Sequence, residues 1–443
     1  MLFQNEMMEP RYNLSYVIKE TGIKADTVRA WEKRYHLPQP TRTESGHRLF
    51  SDYDIETIKW LMSKQKEGLR ISKAVNLFKE LETEGKHPIQ SVLPGLGLSS
   101  ATYTTTQNRE ILPSLNASWV EACLNFDEAN AKLVLNQAFA QFSVATVCTD
   151  IIQRGLAEVG KLWYQGKATV QQEHFTSELA NRSLQSLIQA APLPIRKETI
   201  LVGCPSGETH IFPSHLITLL LRHRSWNVIY LGADVPIDEF QITVEKTKPD
   251  LVVMTAMRIV TAAALRESAI FLQDQNIPLA YGGGVFDRNP SISNRIPGFF
   301  LGKDIQGSID KIEGLLSGKI FIPKIEKIPL EYNQIAEIYA KSNPLIDVQL
   351  SQYLEDNGIW EQFLQDNWFV NDSLSQEIIA ALKLGDLHLI DADLDWIRNL
   401  MKHRGIPDYL LDEYLSAYYK TVQTILKEDA QPLLGWLETR LNK

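Results

Sequence analysis

Cysteines and long apolar runs are both scarce in this chain of 443 residues. Its three cysteines, Cys123, Cys148 and Cys204, form no short paired motif, so a disulfide scaffold is excluded and a reducing compartment is indicated. The apolar runs fall short of the roughly 18 residues that a spanning helix needs, and the first residues lack the charged-then-apolar pattern of a signal peptide. The sequence therefore predicts a cytoplasmic protein with no membrane partner.

An overall excess of basic residues is also missing, because the formal net charge is -9. Hydrophobic residues make up 44% and charged residues 22%, which is ordinary globular usage and excludes wholesale disorder and a collagen-like repeat. The length corresponds to about three domains of roughly 100 to 200 residues. The charge is uneven, since residues 11–80 contain 14 Lys and Arg against 9 Asp and Glu. A small basic segment on an acidic body predicts a nucleic-acid-binding end on a larger regulator or enzyme.

The basic segment has the pattern of a helix-turn-helix followed by a wing. Apolar positions recur at helical spacing on both sides of Gly22, and Asp26 is placed to cap the second helix. Beyond Pro38, Gly46 permits a tight turn between two short extended arms. We expect cations of the second helix and the wing to contact phosphates or base edges. These cations are Arg29, Arg34, Arg42, His47 and Arg48.

The order of these pieces resembles the winged-helix DNA-binding domain of the MerR family of bacterial transcription regulators. The matching positions are Thr21-Gly22, Thr27 to Tyr35, Arg42-Thr43, Gly46 to Ser51 and Asp54. The resemblance implies a DNA-binding domain over residues 8–82 and operator DNA as a partner. The alternative is an amphipathic bundle whose surface Lys and Arg serve no DNA. Residues 83–114, rich in Gly, Pro, Ser and Thr, are interpreted as a flexible linker.

Residues 115–192 return to helical periodicity and are predicted to form a four-helix bundle. Within them, Trp163 is followed after nine residues by Glu173 and His174. Taken alone, this pattern is more simply explained by a core tryptophan and an exposed polar pair at a helix start.

Residues 197–322 alternate short apolar strands with helices, which predicts a doubly wound, Rossmann-like parallel sheet. Ligands of such sheets lie at the carboxyl ends of the strands. The GxGxxG turn of dinucleotide-binding domains is absent after the first strand. The loop there contains Glu208 and His210, the third strand ends at Thr255, and the fourth ends at Gly282 and Gly283.

The spacing of these residues resembles the cobalamin-binding signature DxHxxG, SxL and GG. The corresponding positions are Glu208-x-His210-x-x-Pro213, then after 41 residues Thr255-x-Met257, and after 24 more Gly282-Gly283. The resemblance implies that His210 is the lower axial ligand of cobalt, that Glu208 accepts its other N–H, and that Thr255 offers a hydroxyl to the buried cofactor tail. The glycines would permit close backbone approach. Glu for Asp, Pro213 for Gly and the short last interval depart from the signature.

The complete order of domains resembles the CarH and LitR class of B12-dependent photoreceptor repressors over roughly residues 11 to 320. The resemblance implies adenosylcobalamin as cofactor, with Trp163, Glu173 and His174 around its upper group. It also implies a homo-oligomer, dimer or tetramer, that releases DNA in light. Tyr164 stands where light-sensing members have a histidine, so the identity of the upper ligand and the use of light stay open. Whether the protein represses or activates stays open as well.

Two alternatives remain beside a light-responsive repressor. A light-independent B12 or redox sensor of the same architecture is favoured by Tyr164. A cobalamin-dependent isomerase or methyltransferase subunit is disfavoured, because such an enzyme needs a substrate barrel of about 250 residues and neither flank supplies one. The chain is therefore predicted not to be an enzyme.

Residues 330–443 extend beyond the usual end of that class. Their aromatic and aliphatic positions recur at helical spacing, which predicts a helical accessory domain and a candidate surface for a protein partner. His388 and His403 are its only obvious ligands. The predicted fold is thus multidomain and mainly α with α/β: a winged helix-turn-helix, a four-helix bundle, a Rossmann-like parallel sheet and a C-terminal helical domain.

Overall fold

The computed structural model describes residues 10–42, 48–66, 69–83, 108–318, 325–357 and 371–441. The chain divides into two compact units. The first consists of Met1–Pro113 and Gln137–Val147, and the second of Ser114–Asn136 and Cys148–Lys443. Within the described ranges, no helix combines the length and the apolar character that crossing a membrane requires.

The first unit contains the predicted helix-turn-helix and wing. Gly22, with φ of 71°, ends the first helix in the left-handed conformation that glycine adopts without strain. Asp26 does not cap the second helix, because that helix already starts at Ala25; its carboxylate instead pairs with Arg29 at 3.2 Å. Strand order is β1-β3-β2, all antiparallel. The elements are β1 Tyr12–Asn13, α1 Leu14–Thr21, α2 Ala25–Tyr35, β2 Thr41–Arg42, β3 Arg48–Phe50, α3 Asp52–Lys66 and α4 Ile71–Thr83.

Buried apolar side chains from all four helices and from β3 make the core of this winged-helix fold. They include Val17, Val28, Trp31, Phe50, Leu61 and Phe78. Thr43, Gly46 and His47 of the predicted wing lie outside the described residues, as do residues 84–107 of the predicted linker.

The linker prediction is wrong for residues 108–114, because a helix begins at Asn108. Leu115 and Trp119, one turn apart on this helix, are buried and give it an apolar face. Pro113 lies inside this helix, where its missing N–H removes one backbone hydrogen bond without ending the helix. The helices that follow are α5 Asn108–Leu124, α6 Glu128–Phe139, α7 Val144–Val147, a π-helical turn Cys148–Gln153, α8 Arg154–Tyr164 and α9 Val170–Gln189.

Helix α9 starts with a capping box. The Thr169 hydroxyl accepts from the Gln172 amide, and the Gln172 side-chain oxygen accepts from the Thr169 amide at 2.7 Å. The Gln172 side-chain nitrogen also donates to the Leu124 carbonyl at 2.7 Å, so the start of α9 is tied to the end of α5. Helix α8 packs against α9.

The predicted parallel sheet is present and has five strands in the order β5-β4-β6-β7-β8. Strand β4 is the first strand of this sheet in chain order, and β5 and β6 lie on its two sides, so the winding direction reverses at β4. Ligands of open α/β sheets bind at such a reversal. The elements are β4 Thr199–Pro205, α10 Phe212–His223, β5 Asn227–Val235, α11 Phe240–Thr247, β6 Leu251–Thr255, α12 Ile259–Asp274, β7 Leu279–Gly282, α13 Gly284–Arg288, β8 Phe299–Phe300 and α14 Ile305–Leu316.

The C-terminal segment is helical, as predicted, and has its own core. Tyr339 and Tyr418 share a hydroxyl–hydroxyl hydrogen bond there, beside the buried Tyr414 and Trp436. Helix α16 packs against α12 of the sheet domain, and Leu384 and Leu389 belong to the apolar cluster of the sheet. The helices are α15 Leu330–Asp356, α16 Asn371–Leu384, α17 Asp391–His403, α18 Tyr409–Leu426 and α19 Gln431–Leu441.

Candidate functional site

The loop after β4 and the loop after β6 lie side by side at the point where the winding reverses. The first loop contains Glu208 and His210, and the second contains Met257. The Glu208 carboxylate joins them, because it accepts from the Met257 amide at 2.7 Å and from the Thr261 hydroxyl at 2.6 Å. Two loops that are far apart in the chain therefore share one buried anion.

The same carboxylate holds His210. It lies 2.7 Å from the imidazole Nδ1 and accepts from the His210 amide at 2.9 Å. Glu208 is completely buried, whereas 58% of the His210 side chain is exposed. The imidazole is thus fixed at one nitrogen and open to the outside of the sheet edge.

The four hydrogen bonds keep Glu208 ionised. Burial raises the pKa of this carboxyl, but the bonds from the His210 and Thr261 side chains and from the His210 and Met257 amides outweigh burial and lower the pKa to about 2. A carboxylate can only accept, so Nδ1 of His210 must carry the proton and a neutral ring has its lone pair on Nε2. An imidazole with this tautomer and a carboxylate behind it has the donor chemistry of a cobalt axial ligand.

A chain of buried and half-buried polar side chains connects β4, β5, β6 and α10 in the sheet domain. The Cys204 thiol lies 3.6 Å from the Thr255 hydroxyl and donates to the Ser214 hydroxyl at 3.4 Å. The Ser214 hydroxyl in turn lies 3.2 Å from the Tyr230 hydroxyl. Burial raises the pKa of Tyr230 to about 12 and raises that of the Cys204 thiol, so both remain protonated at neutral pH. Thr255 therefore belongs to a hydroxyl-rich patch. The spacing of the sequence motif identified only Thr255 among the residues of this patch.

The glycines after β7 differ from one another in what they do. Gly283 has φ of 121°, and a Cβ there would lie 2.1 Å from the Ala256 carbonyl oxygen. Gly283 is thus required by the contact between the loops after β6 and β7. A Cβ on Gly282 would meet only Leu301, at 3.9 Å, which is ordinary contact.

The helical domain meets the sheet domain through α9 and α10. Asn181 of α9 lies 3.3 Å from Nδ1 of His215, and Arg222 donates to the Ile188 carbonyl at 3.4 Å. Helix α10 begins at Phe212, two residues after His210, and Pro213 occupies its first turn, where the missing N–H is tolerated. Helix α9 therefore packs on α10, the helix that directly follows the His210 loop.

Trp163, Glu173 and His174 do not form one cluster with His210 in the described residues. Glu173 accepts from Ser177 at 2.8 Å and lies 2.7 Å from His174, whose side chain is 75% exposed. Trp163, at the end of α8, contacts Trp396 and Arg404 of the C-terminal domain. Sequence reasoning missed these two partners and Thr261, because no local pattern links positions so far apart.

Four of the five predicted DNA-contacting cations lie on described residues of the winged helix. Arg29 and Arg34 are exposed on α2, Arg29 beside Asp26 and Arg34 over the Tyr35 ring. Arg42 and Arg48 lie on the paired strands β2 and β3. The fifth, His47, lies outside the described residues.

Glu32 of α2 connects the helix to the wing. Its carboxylate lies 3.3 Å from the Arg42 guanidinium and 2.7 Å from Nε of Arg48. Sequence reasoning did not select Glu32, although it lies between the predicted DNA contacts of the helix. The ion pairs place both arginines of the wing beside the second helix of the helix-turn-helix.

Comparison with known proteins identifies two of these regions. Residues 12–81 match the MerR HTH family regulatory protein family, and residues 115–188 match the B12 binding domain family. The HTH-type transcriptional repressor CarH of Myxococcus xanthus is 27% identical over 293 residues, which cover 66% of this chain and 94% of that protein. The repressor CarA of the same organism is 29% identical over 261 residues, 58% of this chain and 80% of that protein.

A corrinoid protein is also similar over a shorter stretch. The methanol corrinoid protein of Methanosarcina barkeri (strain Fusaro / DSM 804) is 34% identical over 98 residues, 22% of this chain and 38% of that protein. The chain thus combines a segment that matches the MerR helix-turn-helix model with one that matches the B12 binding domain model, and it is similar to CarH and CarA. This combination is that of a cobalamin-dependent transcription regulator.

Proposed function

We propose that the protein is a light-responsive repressor that binds adenosylcobalamin and operator DNA as a homo-oligomer in the cytoplasm. The observation that carries the cofactor part is the His210 imidazole, held at Nδ1 by the buried Glu208 carboxylate at the winding reversal of the sheet. The similarity to two repressors over most of their length supports the proposed binding of operator DNA.

Each site residue has its own task in the proposed function. His210 would hold cobalt through Nε2, while Glu208 fixes the tautomer and orientation of the imidazole. Thr255, within its hydroxyl-rich patch, receives the cofactor tail, and Gly282 and Gly283 shape the adjoining loop. Trp163, Glu173 and His174 serve the upper group. When bound, adenosylcobalamin supplies a weak, light-sensitive bond between cobalt and carbon.

The switch follows from differential affinity. A cofactor that binds one arrangement of the domains better than another shifts the protein toward that arrangement, and losing its upper group removes part of this preference. We propose that the cofactor-bound arrangement is the oligomer that binds DNA. The wing arginines Arg42 and Arg48, with Arg29 and Arg34 of α2, then contact the operator; His47 is proposed with them.

A light-independent cobalamin sensor is the second candidate, and one contact favours it. The Tyr164 hydroxyl donates to the Trp396 carbonyl at 3.5 Å, and its ring stacks on the Trp396 indole with centroids 5.3 Å apart. Tyr164 is therefore engaged by the C-terminal domain, and a phenol is a weaker partner for cobalt than an imidazole. In this candidate, binding of the cofactor itself is the signal.

The cofactor assignment is tested by titrating the full-length protein with adenosylcobalamin in darkness and recording the absorbance of the corrin. We expect the spectrum of histidine-bound cobalamin for the natural protein and its loss in His210→Ala. His388→Ala is the matched control, because His388 is exposed and its described partner, Asp391, is in the C-terminal domain. An unchanged spectrum in His210→Ala would refute the ligand assignment.

The switch is tested by measuring oligomeric state and operator binding before and after green light. A light-responsive repressor dissociates and releases DNA. If adding the cofactor causes assembly and light has no effect, the result supports the light-independent cobalamin sensor. If neither treatment alters assembly or DNA binding, both switching proposals fail, whatever the spectrum shows.

A further inference from the structure

The C-terminal domain reaches the end of α8 through a compact group of side chains, here called the aromatic cluster: Trp163, Tyr164, Trp396, His403 and Arg404. The Trp163 and Trp396 rings are 6.1 Å apart, and the Arg404 guanidinium lies 5.4 Å from the Trp163 ring. The His403 ring meets Tyr164 edge-on at 5.2 Å. Two side chains of the C-terminal domain therefore contact Trp163, and two contact Tyr164.

The position of this domain is set independently of the aromatic cluster. Helix α16 packs on α12, and the Lys383 ammonium lies 2.7 Å from the Glu267 carboxylate. Arg295, after β7, pairs with Asp386 at 3.3 Å. Because the sheet domain anchors the C-terminal domain, Trp396 and Arg404 are presented to Trp163 from a fixed base.

The domain also borders the loops at the carboxyl edge of the sheet. Arg258, after β6, donates to the Gly207 carbonyl in the His210 loop at 3.2 Å. Burial and Asp393 raise the pKa of Glu377 of α16, and the charge of Arg258 opposes this rise. Burial raises the pKa of Asp393 of α17, and Arg288, after β7, opposes this rise. The C-terminal domain thus interacts electrostatically with arginines at the edge that carries His210, and it contacts Trp163 at the end of α8.

We propose that Trp396 and Arg404 are positioning residues that hold the Trp163 indole for the upper group of cobalamin, an inference that rests on the proposed function above. A tryptophan whose ring is already ordered loses less conformational freedom when a ligand packs on it. The C-terminal domain therefore raises the affinity for cobalamins with a large upper group. It leaves the affinity for forms without such a group unchanged, because those forms have no large upper group to pack on the indole.

Dissociation constants for adenosylcobalamin and hydroxocobalamin, measured in darkness on the full-length protein, test this proposal. Trp396→Ala and Arg404→Ala should each weaken adenosylcobalamin binding by about threefold to tenfold, the range of one aromatic or cation–π contact. Hydroxocobalamin binding should change less than twofold. Both side chains are exposed, Trp396 at 40%, so neither substitution removes core packing.

Two further variants separate positioning from general damage. Trp396→Phe keeps an aromatic ring and should restore most of the affinity for adenosylcobalamin. Arg398→Ala removes a cation from the same helix that pairs with Asp412 instead of Trp163, and it should leave both constants unchanged.

The outcomes distinguish this inference from the proposed function. If the natural protein binds neither cobalamin, the proposed function fails. If it binds both, and Trp396→Ala and Arg404→Ala alter neither constant, weaken both equally or tighten adenosylcobalamin binding, the positioning role is overturned while the cofactor assignment stands.

Discussion

The Glu208 carboxylate lies 2.7 Å from Nδ1 of His210 and is fully buried, although the imidazole itself is mostly exposed. The same carboxylate accepts from Met257 and Thr261 across the sheet edge. A single side chain therefore sets the orientation of the imidazole and the spacing of two loops. Replacing it affects ligand binding and stability together.

Glu208→Gln should weaken cobalamin binding by about 10-fold to 100-fold, the usual effect of losing the partner behind a ligating histidine. An amide has one accepting oxygen and cannot serve all four donors, so unfolding should also become easier by about 1–3 kcal/mol. Absorbance titration and thermal unfolding measure the two effects. Glu239→Gln, at an exposed glutamate, is the control. Natural affinity in Glu208→Gln would contradict the role given to this carboxylate.

Two roles can be distinguished for the wing arginines Arg42 and Arg48. One is contact with DNA, and the other is support of the fold through their ion pairs with Glu32. If Arg48 meets a phosphate, Arg48→Ala should weaken operator binding and reduce the slope of log K against log salt by about one. Glu32→Gln should leave that slope unchanged, because it removes no phosphate contact. Equal effects of both variants, with no further loss in the double mutant, would mean that Arg48 acts only through Glu32.

Gly283→Ala should lower the free energy of unfolding by about 3 kcal/mol or more. The substitution combines a backbone conformation that only glycine adopts readily with a collision between the new Cβ and the Ala256 carbonyl. Gly207→Ala is the control: its φ is also positive, at 76°, but its Cβ would meet no described atom within 4 Å, so about 1–2 kcal/mol is expected. Equal losses in chemical denaturation would show that the close approach contributes nothing.

The carboxyl of Glu377 should make docking of the C-terminal domain depend on pH. Burial and the nearby Asp393 raise its pKa from 4.5 to about 7, against the smaller opposite effect of Arg258. A raised pKa means that the folded state binds the proton more tightly. The resulting stabilisation is complete below about pH 4.5 and is lost as pH rises through 7, by up to about 3 kcal/mol.

Thermal unfolding of the full chain between pH 5 and pH 8 checks this expectation. The Tm should fall over that interval, and Glu377→Gln, which resembles the protonated acid, should flatten the curve. Glu413→Gln changes an exposed glutamate of the same domain and should retain the natural slope. Identical curves for the Glu377→Gln variant and the natural protein would exclude Glu377 as the titrating group.

The sequence by itself determined the local elements and the residues that sit directly at their ends. Helical spacing around Gly22 and the run of apolar strands gave the helix-turn-helix and the parallel sheet, because period and turn chemistry are properties of neighbouring residues. The same local logic put His210 and Glu208 at a strand end. It failed at residues 108–114, where Pro113 and Ser114 suggested a linker but burial of Leu115 and Trp119 favours a helix.

Only the tertiary structure decided which distant residues meet. The pairing of Glu32 with two wing arginines, the bond from Thr261 to Glu208 and the packing of Trp396 on Trp163 join positions that share no local period. Ion pairs and ring contacts between domains depend on where the domains dock. The C-terminal domain docks through the apolar faces of α12 and α16. In the sequence, these two helices cannot be distinguished from other amphipathic helices. The C-terminal domain acquires its place beside the candidate cofactor site for this physical reason.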